Sequence, residues 1–294
     1  MGNLKEIRNR IGAIKNTRQI TQAMGRIASA RLFKAQAAVT AARPYAARLA
    51  DVVQALTAAT DEAVNPLMAA RPVVRGVGII LVSADRGLCG GFNANVAKAA
   101  MQVIAREKAE GREVTVITVG KRGAATLGYN GIEVDYAHVV PNHDNILDTV
   151  KAVAAEATGL FLPEDGSEPK VDVVHLIFNF FKNALTQEVT EVQLLPFAPG
   201  ESDPDNPPVE PVFEPGRAEL LAHLLPVALE SQLQTALLNS ISSELAARRA
   251  AMNSATDNAS EMINDLTLQF NRERQAAITT ELMEIIGGSE ALKG

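Results

Sequence analysis

Between Pro226 and Gly287 the chain contains no glycine or proline, and apolar side chains return at every third or fourth position. They are Leu229, Leu233, Leu237, Ile241, Leu245, Met252, Ala255, Ala259, Met262, Leu266, Phe270, Ile278, Leu282 and Ile285. That spacing marks one face of a helix. A helix of about 60 residues, rising about 1.5 Å each, spans on the order of 90 Å, whereas about 10 to 20 residues suffice to cover a globule. The stripe therefore calls for a partner helix of similar length. Arg249 and Arg274 fall where the stripe would pass and interrupt it. Its spacing averages closer to four than to 3.5, which leaves the supercoil hand open.

The N-terminal 60 residues supply that partner. Leu4, Ile7, Ile11 and Ile14 stand at helical steps, and Ile20, Met24 and Ile27 are expected to continue the face. Gly12 and Gly25 each cost a helix about 1 kcal/mol relative to alanine, so its stability must come from packing. Pro44 is expected to bend the helix or end its first segment. Two long striped helices at opposite ends of one chain predict an antiparallel coiled coil of the termini, with the middle at one end of the rod.

From Val73 to Phe197 the pattern changes to short apolar runs alternating with amphipathic segments. Val77–Val82, Val114–Val119 and Val171–Phe178 read as buried strands; Asn93–Lys108 and Asp144–Ala157 read as helices. Such alternation predicts a Rossmann-like α/β layer with a largely parallel sheet. The run Glu188–Leu195 follows a strand directly and predicts an antiparallel edge. Pro199–Gly216 is acidic, proline-rich and free of bases, hence an extended surface segment. The division expected is a coiled-coil helix over 1–60, an α/β domain over 70–200, an acidic proline-rich loop over 201–216, and a second coiled-coil helix over 217–294.

Charge sharpens this picture. The net charge of −6 hides ten Lys and Arg against Glu6 alone from Met1 to Arg48, a +9 arm that leaves −15 for the rest of the 294 residues. A basic arm on an acidic protein points to an acidic partner. A regular apolar seam, with only Phe33 and Tyr45 as aromatics, favours protein over nucleic acid. The single cysteine, Cys89, fits a reducing compartment, and no apolar run approaches the roughly 20 residues needed to cross a bilayer.

Candidate chemistry concentrates at Ser83–Asn93, SADRGLCGGFN, between a strand and a helix. That is where a dinucleotide-binding fold holds pyrophosphate, but G-x-G-x-x-G, G-K-[ST] and a ribose-binding acid are all missing. A tight structural turn through Asp85, Gly87, Gly90 and Gly91 is the simpler reading, with Cys89 as a small buried residue. His138, His143, His175 and His223 are scattered outside any metal-ligand spacing. The carboxylates of the long C-terminal run read as a solvated face. No catalytic, cofactor or metal site is predicted. The residues leave three readings open: a mechanical shaft, a Rossmann-like enzyme with a coiled-coil tail, and a static scaffold.

The stretches LKEIRNRIGAIKNTRQI (Leu4–Ile20), TQAMGRIASARLFKAQ (Thr21–Gln36), DRGLCGGFN (Asp85–Asn93) and Ala247–Gly287, with AMNSATDNA and NRERQAAITTELMEIIGG, lie at the beginning, middle and end of the chain. Together they resemble the gamma subunits of bacterial F-type ATP synthases. The resemblance implies a central rotor shaft whose paired helices enter a ring of alpha and beta subunits. One copy per complex is implied, with the epsilon subunit and the c-ring as further partners. It also implies a peripheral place on the cytoplasmic face of the inner membrane, held there only through the c-ring. By position in the family, Met24, Arg26 and Arg31, within the segment Gln22–Arg31, fall at an upper contact with the ring. Arg248, Gln275, Thr279 and Glu284 fall where the C-terminal helix meets that neighbourhood or the beta subunits. Phe213 and Glu214 fall near the foot on the c-ring. Gly25, where the family leads one to expect a better helix former, is expected to soften the shaft, and Cys89 alone excludes the dithiol control of the chloroplast type.

Overall fold

A computed structural model describes residues 2–58, 65–141, 145–163, 166–198 and 216–291. The acidic segment 199–215, with Phe213 and Glu214, lies outside the described residues, as do Asp144 and His143. The elements run α1 (Gly2–Ala58), a short 3-10 turn (Pro66–Met68), β1 (Gly76–Val82), α2 (Phe92–Ala109), β2 (Glu113–Val119), α3 (Lys121–Tyr129), β3 (Tyr136–His138), α4 (Ile146–Phe161), β4 (Val173–Phe181), β5 (Gln187–Leu195) and α5 (Arg217–Ala291). They form two compact units, Met1–Ser29 with Arg248–Gly294, and Ala30–Ala247.

The larger unit is built on a five-stranded sheet of order β3-β2-β1-β4-β5. β1 pairs in parallel with both β2 and β4, and β5 closes the edge antiparallel to β4. All seven residues of β1 (GVGIILV) are buried, as required of a central strand covered on both faces. On one face Ile79, Leu81, Val116 and Ile177 pack against α2 and against Leu127 of α3. On the other, Ile80, Val82, Ile117, Leu176 and Phe178 share a core with α4, with Val39, Leu49, Val53 and Leu56 of α1, and with Leu221–Leu238 of α5. β4 begins two residues after the predicted Val171, and α4 runs on to Phe161 where Ala157 was the expected end. Pro44 neither ends nor interrupts α1. It sits on the exposed side, where water can satisfy the carbonyl its missing N–H would have bonded.

Arg71 fastens the chain entering β1. Its guanidinium donates to Asp172 Oδ1 at 2.7 Å, to the Val171 carbonyl at 2.8 Å and to the Phe161 carbonyl at 2.7 Å, and it lies over the Phe161 ring. Asp172 Oδ2 accepts from the Arg75 and Gly76 amides at 2.6 and 2.9 Å. Burial works to raise the Asp172 carboxyl, and the Gly76 amide, Arg71 and the Arg75 amide outweigh it, so the group sits below the usual carboxylate range. Glu107 on α2 is similar: its burial opposes ionisation, and Arg106 and Arg112 overcome it. His175 on β4 is depressed by burial although Glu191 stands 3.2 Å away.

All three shifts act in one direction. A depressed histidine contributes stability above its ordinary value of 6.5 that is lost as pH falls towards the folded value. Depressed carboxylates contribute stability above their ordinary 4.5 and 3.8 that is lost below them. Acid should therefore lower the melting temperature in two stages, the first beginning near pH 6.5. His175→Gln should remove the first stage and leave the second. A wild-type melting temperature unchanged between pH 7.5 and 5.5 would contradict this.

In the smaller unit, α1 and α5 pack antiparallel. Thr21 Oγ1 lies 2.8 Å from Thr256 Oγ1, and Gly25 faces Met252 and Asn253. Apart from the half-buried Met24, the buried and half-buried positions of α1 in this unit follow a heptad: Leu4, Ile7, Ile11, Ile14, Arg18, Thr21, Gly25, Ala28. On α5 the heptad runs through Met252, Thr256, Ala259, Ile263, Leu266, Phe270, Glu273 and Ala277, with Arg248, Ala251, Ala255 and Ser260 half-buried beside it. A period of 3.5 in both helices specifies a left-handed supercoil.

This corrects the sequence reading at several points. Ile20 and Ile27 are 60% and 55% exposed and lie off the seam, which passes instead through Thr21, Gly25 and Ala28. Met262 is half exposed, and Ile263 takes its place. Arg249 and Arg274 are exposed and interrupt nothing. From Ile278 to Ile286 every side chain of α5 is exposed, including Ile278, Leu282 and Ile285 of the predicted stripe. If the register of Thr21 with Thr256 continues, Leu4 stands opposite Glu273 and Gly2 opposite Gln275, so α1 begins where α5 still has about 24 Å to run.

Candidate functional site

In a doubly wound sheet, ligands bind beyond the carboxyl ends of the strands where the strand order reverses. Here that point lies between β1 and β4, and the Ser83–Asn93 turn leaves β1 beside it. The turn is closed by its own side chains. Asn93 Oδ1 accepts from the Ala84 amide at 2.9 Å, while its Nδ2 donates to the Arg86 carbonyl and to Cys89 Sγ, each at 3.2 Å. Asp85 accepts from the Lys121 amide at 3.0 Å and, through both oxygens, from the Val140 amide. Its carboxylate thus sits against the first amide of α3, where the helix dipole favours negative charge. Gly90 has φ +58 and Gly91 caps α2, so the glycines serve backbone geometry. Cys89 is buried with Ala84 and Phe92.

The space at the switch point is filled by α5. Ala247 packs on Ala84, Cys89 and Phe92. Ser243 Oγ donates to the Asn179 carbonyl at 3.1 Å, and Asn239 Oδ1 accepts from the Phe181 amide at 3.4 Å. Asn239, Ser240, Ser242 and Ser243 are all buried. Where such a fold would admit a nucleotide, this chain lays its own helix.

A second strand-to-helix turn escaped the sequence reading. Gly120 has φ +113, and a Cβ there would meet the Ser83 carbonyl oxygen at 2.4 Å; one at Gly123 would meet Ser83 Oγ at 2.6 Å. Ser83 Oγ accepts from the Gly123 amide at 2.9 Å and donates to the Gly120 carbonyl. The signal was Gly120-Lys121-Arg122-Gly123 directly after β2, a spacing short enough to pass for loop.

The remaining predicted site residues lie on the long helices. In the smaller unit Met24 and Arg248 are half-buried, and Arg26, Gln275, Thr279 and Glu284 are exposed. The register places Met24 near Asn253, which brings Arg248 within two turns of it. Gln275, Thr279 and Glu284 begin roughly six turns, about 33 Å, further along, so they do not meet the Met24 neighbourhood. In the larger unit Arg31 is exposed.

Gly25, expected to soften the helix, has a packing role. It is buried on the seam, with a Cβ position 3.2 Å from Asn253 Oδ1 and 3.5 Å from Met252 Cβ. Alanine is accommodated if the Asn253 amide swings aside, and it gains about 1 kcal/mol in helix propensity; leucine must push the helices apart. Gly25→Ala should therefore be neutral or stabilising in thermal unfolding, and Gly25→Leu destabilising by about 1–3 kcal/mol. The reverse order would show that the position is not a close approach.

Among the described residues no group of His, Cys, Asp and Glu could hold a metal ion, and no described helix is long and apolar enough to cross a membrane. The described residues thus combine a doubly wound sheet, its crevice filled by α5, with terminal helices that pair along a heptad seam. A family model described as ATP synthase matches residues 3–292. The chain is 46% identical over 300 residues to the ATP synthase gamma chain of Geobacter sp. (strain M21) and 45% identical over 294 residues to that of Geobacter metallireducens, each covering all of both chains. The chain belongs to the ATP synthase gamma chain family. Among solved structures, it is similar in fold to the rotor of Euglena gracilis mitochondrial ATP synthase (TM-score 0.67, 15% identity, 94% of this chain and 99% of that one). It is also similar to a chain of the Tetrahymena thermophila central stalk and c-ring (TM-score 0.59, 20% identity, 80% and 99%).

Proposed function

We infer that this chain is the central rotating shaft of a proton-translocating F-type ATP synthase, coupling rotation of a c-ring to cyclic change at the beta subunits without performing the chemistry. The observation that carries this reading is the bare end of α5. Ile278, Leu282, Met283, Ile285 and Ile286 are exposed on a helix that has outrun its partner. So many apolar side chains left in water are a liability unless something encloses them, and a ring of alpha and beta subunits would. A two-helix coil inside a three-fold ring cannot present the same face to each beta subunit, and differential contact is what coupling of rotary position to nucleotide affinity requires.

In this reading Met24, Arg26, Arg31, Arg248, Gln275, Thr279 and Glu284 contact the ring, with Ile20 and Ile27 adding an apolar outward stripe beside Met24. Phe213 and Glu214 remain assigned to the c-ring foot by family resemblance alone. One copy serves each complex, epsilon binds the α/β body, and the subunit sits peripherally on the cytoplasmic face of the bacterial inner membrane. The terminal helices over 1–60 and 217–294 act as the shaft, and residues 70–200 as its body. The purified chain should hydrolyse no ATP, yet with alpha and beta subunits it should form an asymmetric complex that does. ATPase activity intrinsic to the chain, or its failure to join the ring, would sink this assignment.

A further inference from the structure

His175, on β4, brings a titratable ring into an ion-pair cluster without joining it. Its Nδ1 is buried and makes no hydrogen bond, although Glu191 Oε1 of β5 stands 3.2 Å away. That oxygen already accepts from Arg106 of α2 at 2.8 Å. The same guanidinium donates through Nε to Glu107 at 2.8 Å, and Arg112 holds the other oxygen of Glu107. A ring nitrogen without a proton gains nothing beside a carboxylate, whereas in the imidazolium both nitrogens are charged donors.

A proton on this ring unbalances the cluster. The charged groups facing His175 are Glu191 from β5, Glu107 and Arg106 from α2, and Arg112 from the turn before β2, while β1 places Ile79 across from it. With a neutral ring, two cations match two carboxylates. Protonation adds a third cation around the buried Glu107, where surplus charge is costly. Burial, with Arg106 and Arg112, holds the ring below its ordinary 6.5 against the pull of Glu191 and Glu107, so the proton arrives only in mild acid. Balance returns when one cation leaves. Arg106 is the one free to go, since its side chain is 48% exposed against 29% for Arg112, which Glu110 also holds.

We propose that the seam between α2 and β5 is a proton-operated latch, in which protonated His175 takes Glu191 from Arg106, Arg112 keeps Glu107, and Arg106 swings into water. One proton is taken up from solvent, and two cations again face two carboxylates. Arg106 and Glu191 line a cleft of about 360 Å³ together with Val103, Ile177 and Val189. Departure of Arg106 removes one of its walls and unties the edge strand from α2. The latch is a property of the chain by itself and stands apart from the shaft reading.

The test follows two groups by nuclear magnetic resonance in the full-length chain: the His175 ring, identified by its loss in His175→Gln, and the Arg106 Nε–H. Between pH 7.5 and 5.5 the wild-type Nε–H should come to exchange with water about tenfold faster, after correction for the intrinsic pH dependence, as a charge-assisted hydrogen bond is lost. The change should share its midpoint with the His175 ring. In His175→Gln the Arg106 Nε–H should stay protected throughout. Arg106→Gln removes the competing cation and should raise the His175 midpoint by about one pH unit. An Nε–H that stays protected while His175 titrates would overturn the latch, as would release that persists in His175→Gln or a midpoint that Arg106→Gln leaves unmoved. A ring that stays neutral until the chain unfolds would overturn it equally.

Discussion

If the shaft reading holds, a disulfide fastening α5 to the ring subunits should stop ATP turnover in the assembled complex, and reduction should restore it. Glu261 is a suitable anchor: it is exposed on the paired part of α5, and the single native cysteine, Cys89, is buried and does not compete. Glu261→Cys, paired with a cysteine introduced in the facing subunit, leaves the seam untouched. If the coil works by presenting successive faces to three sites, a fixed coil presents one face only, and the sites can no longer exchange roles. Turnover should fall to what a single unrotated site supports and return on adding thiol. A static scaffold would tolerate the lock, so undiminished ATP hydrolysis in the fully cross-linked complex would decide for the scaffold.

Replacing Gly120 by alanine should cost the fold about 3–5 kcal/mol, among the larger effects of any one-methyl change. Two terms combine. The residue holds φ +113, and its new Cβ would lie 2.4 Å from the carbonyl oxygen of Ser83, whose own amide is tied to the Val119 carbonyl at 2.7 Å just beyond the β1–β2 ladder. Gly131→Ala separates the terms, because it has φ +72 with nothing within 4 Å of a Cβ, and it should cost only about 1–2 kcal/mol. Urea denaturation of both variants measures the difference. Equal losses would mean that the close approach to Ser83 contributes nothing.

How far the sequence could be read depended on where large apolar side chains carry the packing. The strands around Val77–Val82 and Val114–Val119, the antiparallel edge at Glu188–Leu195 and the pairing of the termini were legible because period and burial coincide there. The seam through the smaller unit was not. Following the bulky residues led to Ile20 and Ile27, whereas close approach of the helices selects Thr21, Gly25 and Ala28, whose small size hides them from a hydrophobicity pattern. Helix α3 and strand β3 are short, and the two glycines inside α3, Gly123 and Gly128, make it read as a loop. Of the candidate site, the glycine turn was visible as a motif, and its own side chains and backbone close it. The conformation of Leu88 within it, φ +65, was not visible, since a leucine carries no signal for left-handed backbone, and the plugging of the sheet crevice by Asn239–Ala247 needs three dimensions to see. The long helix also separates Gln275 from Met24, a distance that family position alone does not convey.

The unpaired end of α5 has a mechanical consequence. Two helices bound side by side resist flexure and torsion far more than one, so compliance gathers in the last turns beyond Ala277. The paired stretch would yield little under a twist, whereas the last turns of α5 behave as a short cantilever.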